Sequence, residues 1–291
     1  MTRTLLIFGL GYSGRAVARL ALRRGWRVLA TSRDPARVDA PEGVELLPFD
    51  RAQPGIALAT HALATAAPGP GGDPVLAAHG SALRGAPRLR WAGYLSTTGV
   101  YGDRGGAWVD EATPPAPGQD RSRRRLEVER EWEALAVGIA VDVFRTGGIY
   151  GPGRSNLDDL RAGTARRILK PGHAFGRIHV HDIARATLAA AAQDPPPGMR
   201  VLHLVDDEPA EPADVVGEAA ELLGLTPPLP VPYEEVAPRM SEMARSFWAE
   251  NRRVSSTRTK AALGIEWAFP SYREGLRGIL AEERGEGLPE E

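Results

Sequence analysis

The chain opens on an apolar run, Leu5-Leu6-Ile7-Phe8, that breaks at Gly9-Leu10-Gly11-Tyr12-Ser13-Gly14 and resumes as an alanine-rich stretch with Val17, Leu20 and Ala21 in phase. A run of strand length followed by helical periodicity predicts a strand, a tight turn and a helix, with Gly25 as the stop. Short apolar runs at 26–31, 44–49, 62–66, 94–97, 140–145 and 201–205 predict further strands. Helical patterning covers 123–137, 183–193, 213–223, the region around 235–250, and 272–283. Strands alternating with helices predict an α/β fold with a doubly wound parallel sheet. Residues 177–182 read as the chain returning to that sheet. The resulting division gives 1–153 and 178–206 to the sheet domain and 154–177 and 207–291 to a smaller, discontinuous C-terminal lobe, ending in a polar tail at 284–291.

The first turn carries the chemistry of this pattern. Gly9-x-Gly11-x-x-Gly14 lies between strand and helix, the context in which such glycines bind a dinucleotide. Gly9 allows the turn, Gly11 lets a pyrophosphate approach the backbone, and Gly14 lets helix and strand pack closely. The anion then rests on the free N–H groups and positive end of the helix. The second strand ends Ala30-Thr31-Ser32-Arg33, with no carboxylate before Asp34. A carboxylate at that end selects NAD through the ribose 2′-hydroxyl, whereas Ser32 and Arg33 suit a 2′-phosphate, so the expected cofactor is NADP(H). Asp34-Pro35 reads as the cap of a short helix; a one-residue change of register would bring Asp34 to the ribose and favour NAD instead. The loop 67–72, rich in glycine and proline, is of a kind that passes close to a bound molecule.

Composition narrows the class. The 291 residues exceed a minimal domain, and 43% hydrophobic content supplies a core. A formal net charge of −1 gives no footprint for nucleic acid or an anionic membrane, although 36 residues are basic and all but Lys170 and Lys260 of these are arginine. Cysteine is absent, which removes disulfides, thiolate catalysis and cysteine-based metal sites. No apolar run has the length of a membrane span, and the early glycine turn interrupts any signal-peptide layout, so a soluble, cytoplasmic protein is expected.

Four stretches in order resemble the extended and atypical short-chain dehydrogenase/reductases, the NAD(P)-dependent epimerase/dehydratase family: the glycine turn, Ser96-Thr97-Thr98-x-Val100-Tyr101-Gly102, Arg145-x-x-Gly148-Ile149-Tyr150-Gly151-Pro152-Gly153, and Ile178-His179-Val180-x-Asp182. The resemblance spans residues 5 to about 205. It implies a Rossmann-like domain, a small C-terminal lobe, and a substrate cleft between them for a small polar carbonyl or hydroxyl compound. Phe8 stands where the family's first motif glycine would fall, which points to an atypical branch. The family's general acid/base, a tyrosine four residues before a lysine, is absent everywhere in the chain. Registering the next helix on Glu129 puts Arg121 and Arg125 at those two positions, and arginine stays protonated at physiological pH.

The resemblance gives Thr97 the hydroxyl that bonds a substrate's reacting oxygen; it reads equally as a strand-end threonine bonded to its own backbone. Tyr101 is a second candidate proton donor, with packing as its competing role. Arg125 is expected at the nicotinamide ribose and Arg121 at the substrate, against a plain basic helix start paired with Glu127 and Glu129. Tyr12, Ser13, Asp50 and Ala66 complete the expected cofactor contacts with Gly9, Gly11, Gly14, Ser32 and Arg33. His179 and His181 straddle Val180, so on a strand they face opposite ways and share no metal; Asp182 reads as a helix cap. No spacing suggests a metal site. Val128, Trp132 and Leu135 make an apolar stripe on a charged helix, the helix that in this family builds a two-fold contact, so a homodimer is expected. Two functions fit: an NADP(H)-dependent oxidoreductase or epimerase with an unusual proton donor, and a catalytically silent NADP(H)-binding sensor.

Overall fold

The computed structural model describes residues 3–287. The last four positions of the expected polar tail lie outside the described residues. Seven parallel strands form the central sheet: β1 (Thr4–Phe8), β2 (Arg27–Ser32), β3 (Val44–Pro48), β4 (His61–Ala64), β5 (Trp91–Thr97), β6 (Ala140–Thr146) and β7 (Gly198–Leu204). Their spatial order is β7-β6-β5-β4-β1-β2-β3, so the direction of winding reverses between β1 and β4. In open sheets of this kind, ligands bind beyond the carboxyl ends of the strands at that reversal. The fold is Rossmann-like α/β, as the alternating pattern predicts.

The pleat of β1 explains the two layers. Leu5 and Ile7 face one core with Val17, Leu20, Phe144 and Ile183, while Leu6 and Phe8 face another with Ile56, Val75, Val128 and Trp132. The first layer holds α1 (Tyr12–Arg23), and the second holds α2 (Gln53–Leu58), α3 (Pro74–Arg84) and α4 (Asp120–Glu133). A third, smaller core joins α5 (Asn156–Arg161), α7 (Pro212–Leu222) and the helix Tyr272–Glu283 through Leu157, Val215, Ala219, Leu276 and Ile279. Between α5 and α7 runs α6 (Val180–Ala192), which packs on α1.

Several expectations change. Residues 177–179 do not rejoin the main sheet: Arg177–His179 pairs in parallel with Gly148–Tyr150 as a separate two-stranded sheet. His179 and His181 do not oppose each other on a strand, because His179 is the N-cap of α6 and its Nδ1 accepts from the His181 N–H. Asp182 is not the cap; buried within the first turn of α6, it accepts from the backbone N–H groups of Ala268 and Phe269 and so ties the C-terminal segment to α6. The stripe Val128, Trp132 and Leu135 is inside the protomer, with Trp132 stacked on Tyr94 and donating to Asp73. It therefore carries no argument for a homodimer. Among the described residues, no helix is long and apolar enough to cross a membrane.

Two buried histidines couple this fold to pH. His61 lies between Trp26 and Trp91, donates from Nε2 to the Ala191 carbonyl, and is held at about 4 by burial, with Arg90 adding to the shift and Asp194 opposing it. Burial brings His179 to about 3. Above pH 6.5 both are neutral in folded and unfolded chains; below it the unfolded chain takes up protons that the folded one refuses. Stability is thus expected to fall from pH 6.5 towards 4, each histidine contributing at most about 3 kcal/mol. Urea unfolding across that range measures the slope, and His61→Gln is expected to flatten it; an unchanged slope in the variant counts against this assignment.

Candidate active site

Register brings the expected cofactor residues to one edge of the sheet. Phe8 pairs with Thr31 and Ala64, and Ser32 with Pro48, so Gly9, Ser32, Arg33, Asp50 and Ala66 all follow strand ends on the same side. Gly9 has φ +98°, and a Cβ there would come within 2.9 Å of Thr65 Oγ1. That hydroxyl donates to the Gly9 carbonyl at 2.6 Å and fixes the turn, a contact the glycine pattern did not reveal. At Gly14 a Cβ would meet the Gly9 carbonyl oxygen at 2.4 Å, so the helix sits against the turn as closely as backbone allows. At Gly11, the N-cap of α1, a Cβ would meet nothing within 4 Å. Open space lies there at the positive end of a 12-residue helix whose cap makes no side-chain bond.

Around this turn, Ser13 is buried, while the Tyr12 hydroxyl donates to the Pro152 carbonyl at 3.1 Å and links the turn to the loop after Tyr150. Ser32 Oγ accepts from the Asp34 N–H. Asp34 occupies the cap position of the short helix Pro35–Arg37 and pairs with Arg37 at 3.2 Å, without a side-chain capping bond. Arg33 and Asp50 are exposed, and Ala66 is half-buried beside Gly9.

A cleft of about 730 Å³ opens beyond the ends of β5 and β6. Thr97, Arg121 and Arg125 line it, together with Arg154, Arg177 and Phe247. Thr97 Oγ1 accepts from the Gly99 N–H at 3.1 Å, which leaves its own proton to donate. Arg125 Nη1 donates to the Leu95 carbonyl at 2.7 Å and the Tyr94 hydroxyl at 3.1 Å. Neither Arg121 nor Arg125 pairs with Glu127 or Glu129; it is Arg123 that meets an acid of its own helix, Asp120.

Tyr101 is fully buried and does not line the cleft. Its hydroxyl accepts from Arg145 Nη1 at 2.7 Å and donates to His203 Nε2 at 2.6 Å, and burial raises it to about 12. This corrects its candidacy as proton donor and makes it part of the support. Arg145 forms a buried ion pair with Glu129 at 2.7 Å, and Glu129 also accepts from Ser96 Oγ at 2.5 Å. His203 Nδ1 donates to the Ser255 carbonyl at 2.7 Å, closing the network against the C-terminal segment. Arg154, Arg177, Arg252 and Phe247 escaped the sequence reading because they come from three separated segments. The excess of arginine over lysine was the one signal of them.

A Rossmann-like sheet, a glycine turn at its winding reversal and a cleft at the β5 and β6 ends define a fold of the nucleotide-binding class. The chain belongs to the NAD(P)-dependent epimerase/dehydratase family of extended and atypical short-chain dehydrogenase/reductases. Protein YeeZ of Escherichia coli K12 is 31% identical to it over 247 residues, 78% of this chain and 86% of that protein. A 3-diazoavenalumate denitrifying reductase of Streptomyces is 32% identical over 182 residues, and the match spans 58% of each. A functionally unknown conserved protein from Silicibacter pomeroyi has a solved structure that superposes with a TM-score of 0.89 at 45% identity, covering 97% of this chain and 99% of that one. A human epimerase family protein solved with NADPH shares the fold at 21% identity and a TM-score of 0.71, covering 95% and 98%. No protein-family model matches the chain.

Removing one partner of a buried ion pair strands the other. Arg145→Met is expected to cost about 3–5 kcal/mol, and the double variant Arg145→Met/Glu129→Leu distinctly less, as read by denaturant unfolding. A double variant less stable than the single one would contradict this account of the network.

Proposed function

We propose that the protein is an NADP(H)-dependent oxidoreductase whose substrate occupies the cleft at Thr97. The observation that carries this reading is the open space at Gly11, on the end of α1, with an arginine-lined cleft past β5 beside it in the chain's fold class. When bound, the nicotinamide cofactor supplies reversible two-electron transfer. The backbone N–H groups at the start of α1 would hold its pyrophosphate, with Tyr12, Ser13 and Ala66 around the turn. Ser32 and Arg33 would hold the 2′-phosphate. Arg33 has no intramolecular partner among the described residues, whereas Asp34 is engaged with Arg37, and both facts favour a phosphate over a bare hydroxyl. Asp50 marks the adenosine end, and Arg125 would donate to the nicotinamide ribose from nitrogens not used by Leu95 and Tyr94.

Thr97 is the catalytic residue of this reading, offering its hydroxyl proton to the substrate's reacting oxygen. Arg121 binds substrate. Tyr101 is buried away from the cleft and an arginine holds its proton, so neither takes the family tyrosine's place beside Thr97. The reductase name of the Streptomyces relative and the human neighbour's NADPH support redox use of the fold with a nicotinamide cofactor.

Gly11→Val is expected to abolish dinucleotide binding in a folded protein, because the side chain enters space that the fold leaves open. Calorimetric titration with circular dichroism checks it, and unchanged affinity in a folded variant refutes the cofactor assignment. Arg33→Ala is expected to weaken NADPH by about one to two powers of ten and to leave NADH nearly unchanged. The ratio of the two dissociation constants in wild type and variant decides; equal losses, or tighter NADH in the wild type, would return the preference to NAD.

A further inference from the structure

Six arginines line the cleft, namely Arg121, Arg124, Arg125, Arg154, Arg177 and Arg252, against a single carboxylate, Glu250. Its Oε2 pairs with Arg252 at 2.9 Å, its Oε1 has no hydrogen-bond partner among the described residues, and its charge also acts on Arg121. Arg154 lies over the Tyr12 ring at the glycine turn, on the cofactor side, and Arg125 is bonded to the end of β5. Arg121, Arg124 and Arg177 remain, none of them with an ion pair among the described residues. Arg121, in the first turn of α4, is half-buried with its guanidinium 3.8 Å above the Phe247 ring and forms no ion pair among the described residues. Arg177, on the strand beside Gly148–Tyr150, donates to the carbonyls of Phe175 and Ala210. The buried carboxylate of Asp206 accepts from the Arg177 backbone N–H at 3.3 Å and leaves its Oδ2 unpartnered, and the Arg177 guanidinium forms no ion pair with it among the described residues.

A partly desolvated guanidinium without an ion pair is costly, and an anion arriving between two of them recovers that cost. The cofactor's phosphates do not meet this demand, since the glycine turn, Arg154 and Arg33 lie with them. The apolar part of the wall is formed by Ile149, Ala174, Phe175, Phe247 and Val254, beside the hydroxyl side chains of Thr97, Thr98, Ser122, Thr146 and Ser246. Resting on the oxidoreductase reading above, we propose that the substrate is a small organic carboxylate, its charged end held by Arg121 and Arg177 and its apolar body lying against Phe175 and Phe247. The planar guanidinium forks match a carboxylate in two parallel hydrogen bonds, and the aromatic side chains offer an apolar surface to the body behind it. Arg121 thus stands at the family's tyrosine position as an anchor for the ligand rather than as a proton shuttle.

The test uses matched probes: benzoate, cinnamate and 2-oxobutyrate, each beside its primary amide, with benzyl phosphate as a second anion. Binding is measured by calorimetry on the full chain, with and without NADPH. The acids are expected to bind and their amides not. Arg121→Gln is expected to weaken the acids by about tenfold or more, as loss of a charge-assisted hydrogen bond implies, while leaving the NADPH dissociation constant unchanged. Arg121 is on a helix surface, so this variant folds even where Arg177→Gln, which gives up two carbonyl contacts, does not. The proposal is overturned if the amides bind as well as the acids, if no acid binds, if only benzyl phosphate binds, or if Arg121→Gln changes nothing. A wild type that binds the acids but not NADPH would instead remove the cofactor reading and leave the anion site standing.

Discussion

The Glu129–Arg145 pair is the constraint on which the geometry of the site depends. Both groups are almost fully buried, and a buried charge is tolerated only when each of its polar atoms is met. Meeting them enlists Ser96 from β5, Tyr101 from the loop beyond it, and His203 from β7. The network therefore welds three strand ends to α4. Arg121, Arg125 and Glu129 recur at four-residue spacing, so they share one face of that helix. Clamping Glu129 under the sheet edge sets the other two along the cleft wall, and Ser96, held in the same clamp, sets its neighbour Thr97.

How much of this the sequence disclosed follows from which forces are local. The glycine turn, the seven main strands to within a few residues, and the helix Tyr272–Glu283 are written in short-range pattern, because period and punctuation decide them. The helix Pro74–Arg84 went unread, since its Asp73 cap and Pro74 follow directly on a loop of glycines and prolines that masks its start. The fate of 177–179 was illegible for a different reason. Its apolar pattern announces a strand, but which strand it pairs with is settled by the distant segment 148–150. The stripe at Val128, Trp132 and Leu135 teaches the same lesson: amphipathicity says that a face is covered, and only tertiary structure says that the cover is the protomer's own sheet.

Chemistry was less legible than fold. Tyr101 carries the family's motif and a reactive functional group, yet its role is fixed by a guanidinium 44 positions away and an imidazole 102 positions away. Neither spacing has any local signature. Once those two partners use the hydroxyl, burial raises the phenol to about 12 and the residue holds the site instead of reacting in it. Thr97 shows the reverse case: its bond to the Gly99 N–H matches the plain strand-end reading, and that same bond leaves the hydroxyl proton available. The structural and the functional readings of Thr97 are compatible, because a hydroxyl both accepts and donates.

The overall charge hid the most informative feature. A net charge of −1 averages over the whole surface, where arginines and acids pair freely, as Arg27 with Glu45 and Arg161 with Glu283 do. Inside the cleft the balance is six arginines to one glutamate, and low-dielectric walls magnify what exposed surface screens. Arginine's delocalised cation is the one basic side chain that stays charged under such desolvation, where a lysine would shed its proton. On the proposed reading, arginine at the two positions that the resemblance gives to tyrosine and lysine exchanges proton transfer for a permanent local field. A site built this way acts on its ligand by position and charge, which is why its chemistry is legible from the pairing of arginines and not from any acid–base motif.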